Sequence, residues 1–146
     1  AEVTAMAATS GFHNMEAEDF VSAGVRFENG ALGQIFASTA SFPGRGETIA
    51  LHFQNGSAVL EPQRLTIDWQ DGRRVSHGGE GSSGAGADPM AFTSDWHRFV
   101  IEDFATALRE DRPPMVPGRE ALVVHRLIAA MERSAAAGAR VQVEDR

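Results

Sequence analysis

The chain has 146 residues, 42% of them apolar, no cysteine and a formal charge of −7 at neutral pH. That size suits one domain with a core of its own. The charge argues against a nucleic-acid partner, which calls for clustered Lys and Arg, and the lack of cysteine removes disulfides, thiolate metal sites and thiol catalysis.

All thirteen basic residues are Arg, and tyrosine is absent too. Schiff-base chemistry, a P-loop lysine and a lysine or tyrosine general acid are thereby excluded from these residues. No apolar run approaches the roughly 18 residues of a membrane-spanning helix, so no membrane partner is expected. A cytoplasmic location is the expectation.

Residues 2–10 read as a first strand. A second follows over 19–27, where Val21, Ala23, Val25 and Phe27 alternate onto one face. Asn29-Gly30 is a hairpin signal that returns 31–40 antiparallel; a type I′ turn, with positive φ at both central residues, is expected there and again at Asn55-Gly56 and Asp71-Gly72. Between them, Ile49, Leu51 and Phe53 share a face of 47–53, Ala58 to Leu60 forms a short return, Leu65, Ile67 and Trp69 mark another strand, and Arg73 to Val75 the last of the meander. Residues 78–88 are so rich in Gly, Ser and Ala that a flexible loop within one domain is expected.

Thr93 or Ser94 can cap a helix whose buried stripe is expected to be Trp96, Phe99, Val100, Phe104, Ala107 and Leu108, ended by Arg112-Pro113-Pro114. A second helix runs from Pro117, suited to a first helical turn, to Gly138, with Val124, Ile128, Met131 and Ala135 as its stripe. Val141 and Val143 suggest a final edge strand. Strands first and helices last describe an α+β fold, one open, predominantly antiparallel sheet with helices packed on one face, spanning 1–146 as a single domain. The chain opens at Ala1 inside strand-like sequence, so further sequence is expected upstream.

No residue is assigned a catalytic, cofactor-binding or metal role. His13, Glu16 and Asp19 lack a further ligand and read better as a solvated turn. The glycine run 78–86 has no lysine, no Ser or Thr directly after it and no strong strand before it, and is not read as a phosphate site. His52 should point away from the Ile49, Leu51, Phe53 face, nothing fixes His77, and His125 reads as a hydrogen-bonded packing residue. His97 is the histidine best placed to touch a ligand, at a helix start beside Asp95 and Trp96.

Three segments together resemble the C-terminal domain of the glucose-fructose oxidoreductase, inositol dehydrogenase and rhizopine-catabolism family, Gfo/Idh/MocA. They are Val25 to Gly33 continuing to Ala37-Ser38, Phe53 to Leu60, and the tail from His97 and Asp103-Phe104 through Arg112-Pro113-Pro114, Gly118-Arg119-Glu120-Ala121 and Ser134-Ala135 to Gly138 and Val141. The resemblance implies an N-terminal Rossmann domain as partner, NAD or NADP as the cofactor of the full-length protein, a sugar or polyol substrate and a homo-oligomer formed through the open sheet face. It implies catalysis by a Glu-Lys-Pro lysine in that first domain and an Asp and His motif upstream of the first strand, so this chain alone is expected to transfer no hydride. It also points to the loop after the second hairpin strand, here Ser41, Phe42 and Arg45, which with His97 are the expected substrate-binding residues. Two other readings stay open: a free-standing, non-catalytic module that dimerises through its sheet, and a metal-dependent hydrolase that would need His13 and His97 to converge with carboxylates.

Overall fold

The structure is a computed structural model that describes residues 1–79 and 94–144. Eight strands and two helices follow one another as β1 (Glu2–Ala8), β2 (Phe20–Arg26), β3 (Leu32–Ser38), β4 (Ile49–Phe53), β5 (Gly56–Glu61), β6 (Arg64–Trp69), β7 (Arg74–Gly78), α1 (Asp95–Glu110), α2 (Gly118–Ala137) and β8 (Val141–Gln142). The fold is α+β and every strand pairing is antiparallel. The strands divide between two four-stranded sheets, β3-β2-β1-β8 and β4-β5-β6-β7, where the sequence suggested one. The ladder stops after β3 because the next ten residues, with Pro43, Gly44 and Gly46 among them, form no strand, and a proline cannot donate to a sheet. The chain separates into two compact units, Ala1–Ser41 with His97–Arg146, and Phe42–Trp96.

In the first unit the register aligns Val3 with Val25, Ala5 with Ala23 and Ile35, and Ala7 with Val21 and Ala37, which puts these side chains on one face. α2 packs on that face, along β1 and β8. The core is Val3, Ala23, Val25, Ala130 and Met131, with Leu127 and Ile35 against it. Complete burial of each valine contributes roughly 1.5–3 kcal/mol. The buried stripe of α2 is therefore Leu127, Ala130, Met131 and Ser134; of the expected stripe Met131 is buried and Ala135 half-buried, while Val124 is 59% exposed and Ile128 41%. Small residues face the sheet because the helix approaches closely there, and apolar character alone misjudged the rotation. His125 is likewise exposed rather than packed. Pro117 is the residue just before α2, in extended conformation, and Gly138 closes the helix at φ 59°.

α1 keeps its helical periodicity, yet only Ala107 of its apolar stripe is buried; Phe99, Val100, Phe104 and Leu108 are all exposed. Periodicity identifies an apolar face but not what covers it. The Thr93 cap and most of the 78–88 loop fall outside the described residues. At the other end of the helix, Asp103 accepts hydrogen bonds from the Met115 backbone N–H at 2.6 Å and from Arg112 Nη2 at 2.9 Å, folding residues 112–115 back against α1. These bonds, the Met115 N–H first and Arg112 second, hold the Asp103 carboxyl below the ordinary carboxylate range. Because the folded value is depressed, the tie is fully present above the unfolded pKa of about 3.9 and is lost as pH falls through the folded value. Asp103→Ala is expected to speed amide exchange at Met115 by about tenfold while leaving Ala130 in the core unchanged, as hydrogen exchange resolves local opening.

The second unit is the meander β4 to β7. Its register places Ile49, Leu60 and Leu65 in one row, Leu51, Ala58, Ile67 and Val75 in the next, and Phe53 and Trp69 beyond, so one face is apolar. The opposite face carries His52, Ser57, Asp68 and Arg74 in a single row, as the alternation of β4 requires for His52. His77 pairs with Leu65 in β7 and so falls on the apolar face.

None of the expected type I′ turns forms. Gly30 and Gly72 have positive φ but Asn29 and Asp71 do not. In each hairpin the glycine N–H bonds the carbonyl three residues back, to Phe27 and Trp69 respectively. That is a type I turn followed by a left-handed glycine, the three-residue hairpin loop. Phe53 pairs directly with Gly56, so the turn there is Gln54-Asn55 and the glycine is already in the strand.

Candidate functional site

Ser41, Phe42 and Arg45 lie in the segment after β3, all three exposed, with Phe42 at 88%. The Phe42–Pro43 peptide is cis. His97 is exposed in the first turn of α1. Among the described residues, none of these four side chains is held by a hydrogen bond or ion pair. Ser41 and His97 belong to the first unit, and Phe42 and Arg45 to the second.

A residue that the sequence suggested only as part of a solvated turn organises this end of the first unit. Asp19 is 2% exposed. Its carboxylate accepts from the Ser10 hydroxyl at 2.7 Å, from the Ser10 backbone N–H at 2.6 Å and from His13 Nδ1 at 3.3 Å. The Ser10 hydroxyl, then the Ser10 N–H, then His13 keep its carboxyl below the ordinary range. Its backbone is held equally firmly: the Asp19 N–H bonds the Ala8 carbonyl, and the Asp19 carbonyl accepts from Thr39 N–H at 3.0 Å. Asp19 therefore joins the β1–β2 loop to the stretch that leaves β3 toward Ser41.

A cavity of about 340 Å³ opens beside it, floored by Val21, Ile35 and Met131 and edged by Asp19, Ser38 and Thr39. Its size falls in the range of small-molecule pockets. The sequence signal for this site was Asp19 at the edge of an apolar strand with Ser10 and His13 nearby, which is too weak to separate a buried carboxylate from a turn. Among the described residues no three His, Asp or Glu side chains gather as metal ligands.

For a dinucleotide, the spacing G-x-G-x-x-G does occur at Gly79, Gly81 and Gly84, and β7, the expected last strand of the meander, ends just before it. The physics of the turn needs a helix opening on those glycines after a parallel strand. β7 is antiparallel to β6, and the next described helix begins at Asp95.

Residues 1–59 match the sequence profile of the family described as GFO/IDH/MocA C-terminal domain. Over those residues the chain is similar to that family. The solved structures extend that likeness of fold along nearly all of it. Levoglucosan dehydrogenase, in a complex with NADH and levoglucosan, matches with a TM-score of 0.75 at 22% identity over 100% of this chain and 45% of its own. An oxidoreductase from Agrobacterium radiobacter, in a complex with NAD+, L-tartaric acid and magnesium, matches at 0.71 and 19% identity over 98% of this chain and 43% of its own. An oxidoreductase domain protein from Kribbella flavida matches at 0.76 and 16% identity over 99% and 44%. The chain thus spans less than half the length of these structures. No curated protein sequence matches it. No helix among the described residues is long and apolar enough to cross a membrane.

Proposed function

We propose that the two units together serve as one domain, the substrate-binding and oligomerisation half of a cytoplasmic NAD(P)-dependent oxidoreductase acting on a sugar, polyol or related hydroxy compound. The observation that carries this reading is the family match over 1–59, continued by a shared fold that fills under half of NAD(H)-bound dehydrogenases. The nicotinamide cofactor and the proton-transfer groups then belong to a Rossmann domain outside these residues. The exposed stripe of α1, with Phe99, Val100 and Phe104, supports a further domain as its cover. The sheet of the first unit is covered by α2 on one face, and its other face shows Met6 and Phe36 to solvent, which supports pairing of subunits through the sheet. Ser41, Phe42, Arg45 and His97 serve the substrate in this reading, Arg45 as a donor to hydroxyl or carboxylate oxygens and Phe42 against a carbon skeleton.

The test is NAD(P)-dependent turnover of a panel of levoglucosan, D-glucose and D-sorbitol by the natural full-length protein and by residues 1–146 alone. Turnover is expected from the first and none from the second, and Arg45→Ala should raise KM in the first by about tenfold, the worth of one lost charged hydrogen bond. Turnover by 1–146 alone would overturn the division of labour. An inactive full-length protein that still dimerises would favour the free-standing sheet module instead.

A further inference from the structure

We propose that the β1–β2 loop, residues 9–19, is a second arm of the substrate site, in which His13 accepts a hydrogen bond from a substrate hydroxyl and Phe12 lies against its carbon skeleton. This rests on the reading of the chain as the substrate half of an oxidoreductase. The chemistry begins at Asp19. A buried carboxylate whose oxygens already accept two bonds from Ser10 is ionised and has no proton to give. The 3.3 Å contact with His13 Nδ1 is therefore made by an Nδ1–H donor. That fixes the tautomer: in the neutral ring Nε2 carries a lone pair, on a side chain 43% exposed, and has no partner among the described residues. A buried acid that orients a histidine by one nitrogen leaves the other ready for a ligand.

Phe12 stands beside it at 81% exposure, contributing nothing to the core. Its position is nevertheless held, because its backbone N–H reaches the same Ser10 hydroxyl that donates to Asp19, at 3.4 Å. One aromatic face and one lone-pair acceptor, on consecutive residues of the loop, suit a compound with hydroxyls on a compact carbon frame. The loop also adjoins the Ser41 end of the first unit. The bond from Thr39 N–H to the Asp19 carbonyl brings its base against the residues leading to Ser41, and the cavity beside Asp19 opens between them.

Two measurements on the full-length protein test this. Long-range ¹H–¹⁵N correlation of the histidine rings should show His13 as the Nδ1–H tautomer; an Nε2–H tautomer overturns the proposal. His13→Gln and Phe12→Ala alter exposed side chains, and each should raise KM for the best compound of the panel by about tenfold with kcat within about twofold, as loss of one binding contact predicts. Turnover by the wild type that neither variant affects overturns the loop's role and leaves the oxidoreductase reading intact. Absence of turnover by the wild type overturns both.

Discussion

Gly56→Ala is expected to cost about 3 kcal/mol, toward the upper end for an overpacked site, and to lower Tm by about 10 °C. Gly56 does not have positive φ, so the backbone conformation would accept alanine. The obstacle is space. Gly56 pairs with Phe53 on one side and Trp69 on the other, at one end of the β5–β6 ladder. A Cβ there would run into the carbonyl oxygen of Asp68 and the Cα of Trp69, both backbone atoms that cannot rotate away. Gln70 N–H bonds the Asn55 carbonyl at 3.0 Å and clamps the same approach from the next residue. Relief would require β5 and β6 to part, which would disturb the row of Leu51, Ala58, Ile67 and Val75.

Gly30→Ala provides the comparison. Gly30 sits at φ 86° with open space around its missing Cβ, so alanine there pays only the left-handed penalty of roughly 1–2 kcal/mol. Thermal melts of the two variants should differ by about 3–7 °C on these magnitudes. Equal falls would sink the close-approach account of Gly56.

These two glycines show how far the residues alone could be read. Asn29-Gly30 and Asn55-Gly56 are the same dipeptide between apolar runs, and both correctly mark hairpins. Alternation along β2, β4 and β6 gave the strands and the face of His52, because a period of two depends only on the local chain. What the dipeptide could not tell is which residues occupy the turn. That is decided by register across the hairpin, a long-range property. A fourth hairpin, between β5 and β6, turns through Pro62 and Gln63, where Gln63 takes φ 69° without the glycine that usually announces it.

The helices show the same boundary. Their existence and ends were legible from Pro117, Gly138 and Arg112-Pro113-Pro114. The rotation of α2 was not, since Ala130 and Ser134 are small and one is polar. In the candidate site, Ser41, Phe42, Arg45 and His97 came from resemblance and loop position. The Asp19 network lay unseen because the backbone bonds that hold Asp19 in place, to the Ala8 carbonyl and from the Thr39 N–H, come from the ends of two other strands' segments, a long-range property.

Ser134→Ala is expected to destabilise the first unit by about 3 kcal/mol, since each buried polar group left unpaired costs about 1–3 kcal/mol. Ser134 is 0% exposed. Its hydroxyl accepts from the Ala5 backbone N–H at 2.9 Å and donates to the Ala139 carbonyl at 2.7 Å. Ala5 needs this partner because β8 is only two residues long and pairs with Glu2 and Val3 alone. Beyond that point no strand among the described residues lies beside the edge of β1, and a helix side chain completes the ladder. Ala139 lies just past the helix, so one hydroxyl joins the middle of β1, the end of α2 and the turn into β8. Removing it leaves the Ala5 N–H and the Ala139 carbonyl without this partner. Urea unfolding should show a lower midpoint at unchanged slope, and amide exchange at Ala5 should quicken more than at Ala23 on the paired side of the sheet. A loss below about 0.5 kcal/mol, the level of an ordinary surface change, would mean that water replaces the hydroxyl and that α2 is held by its apolar contacts alone.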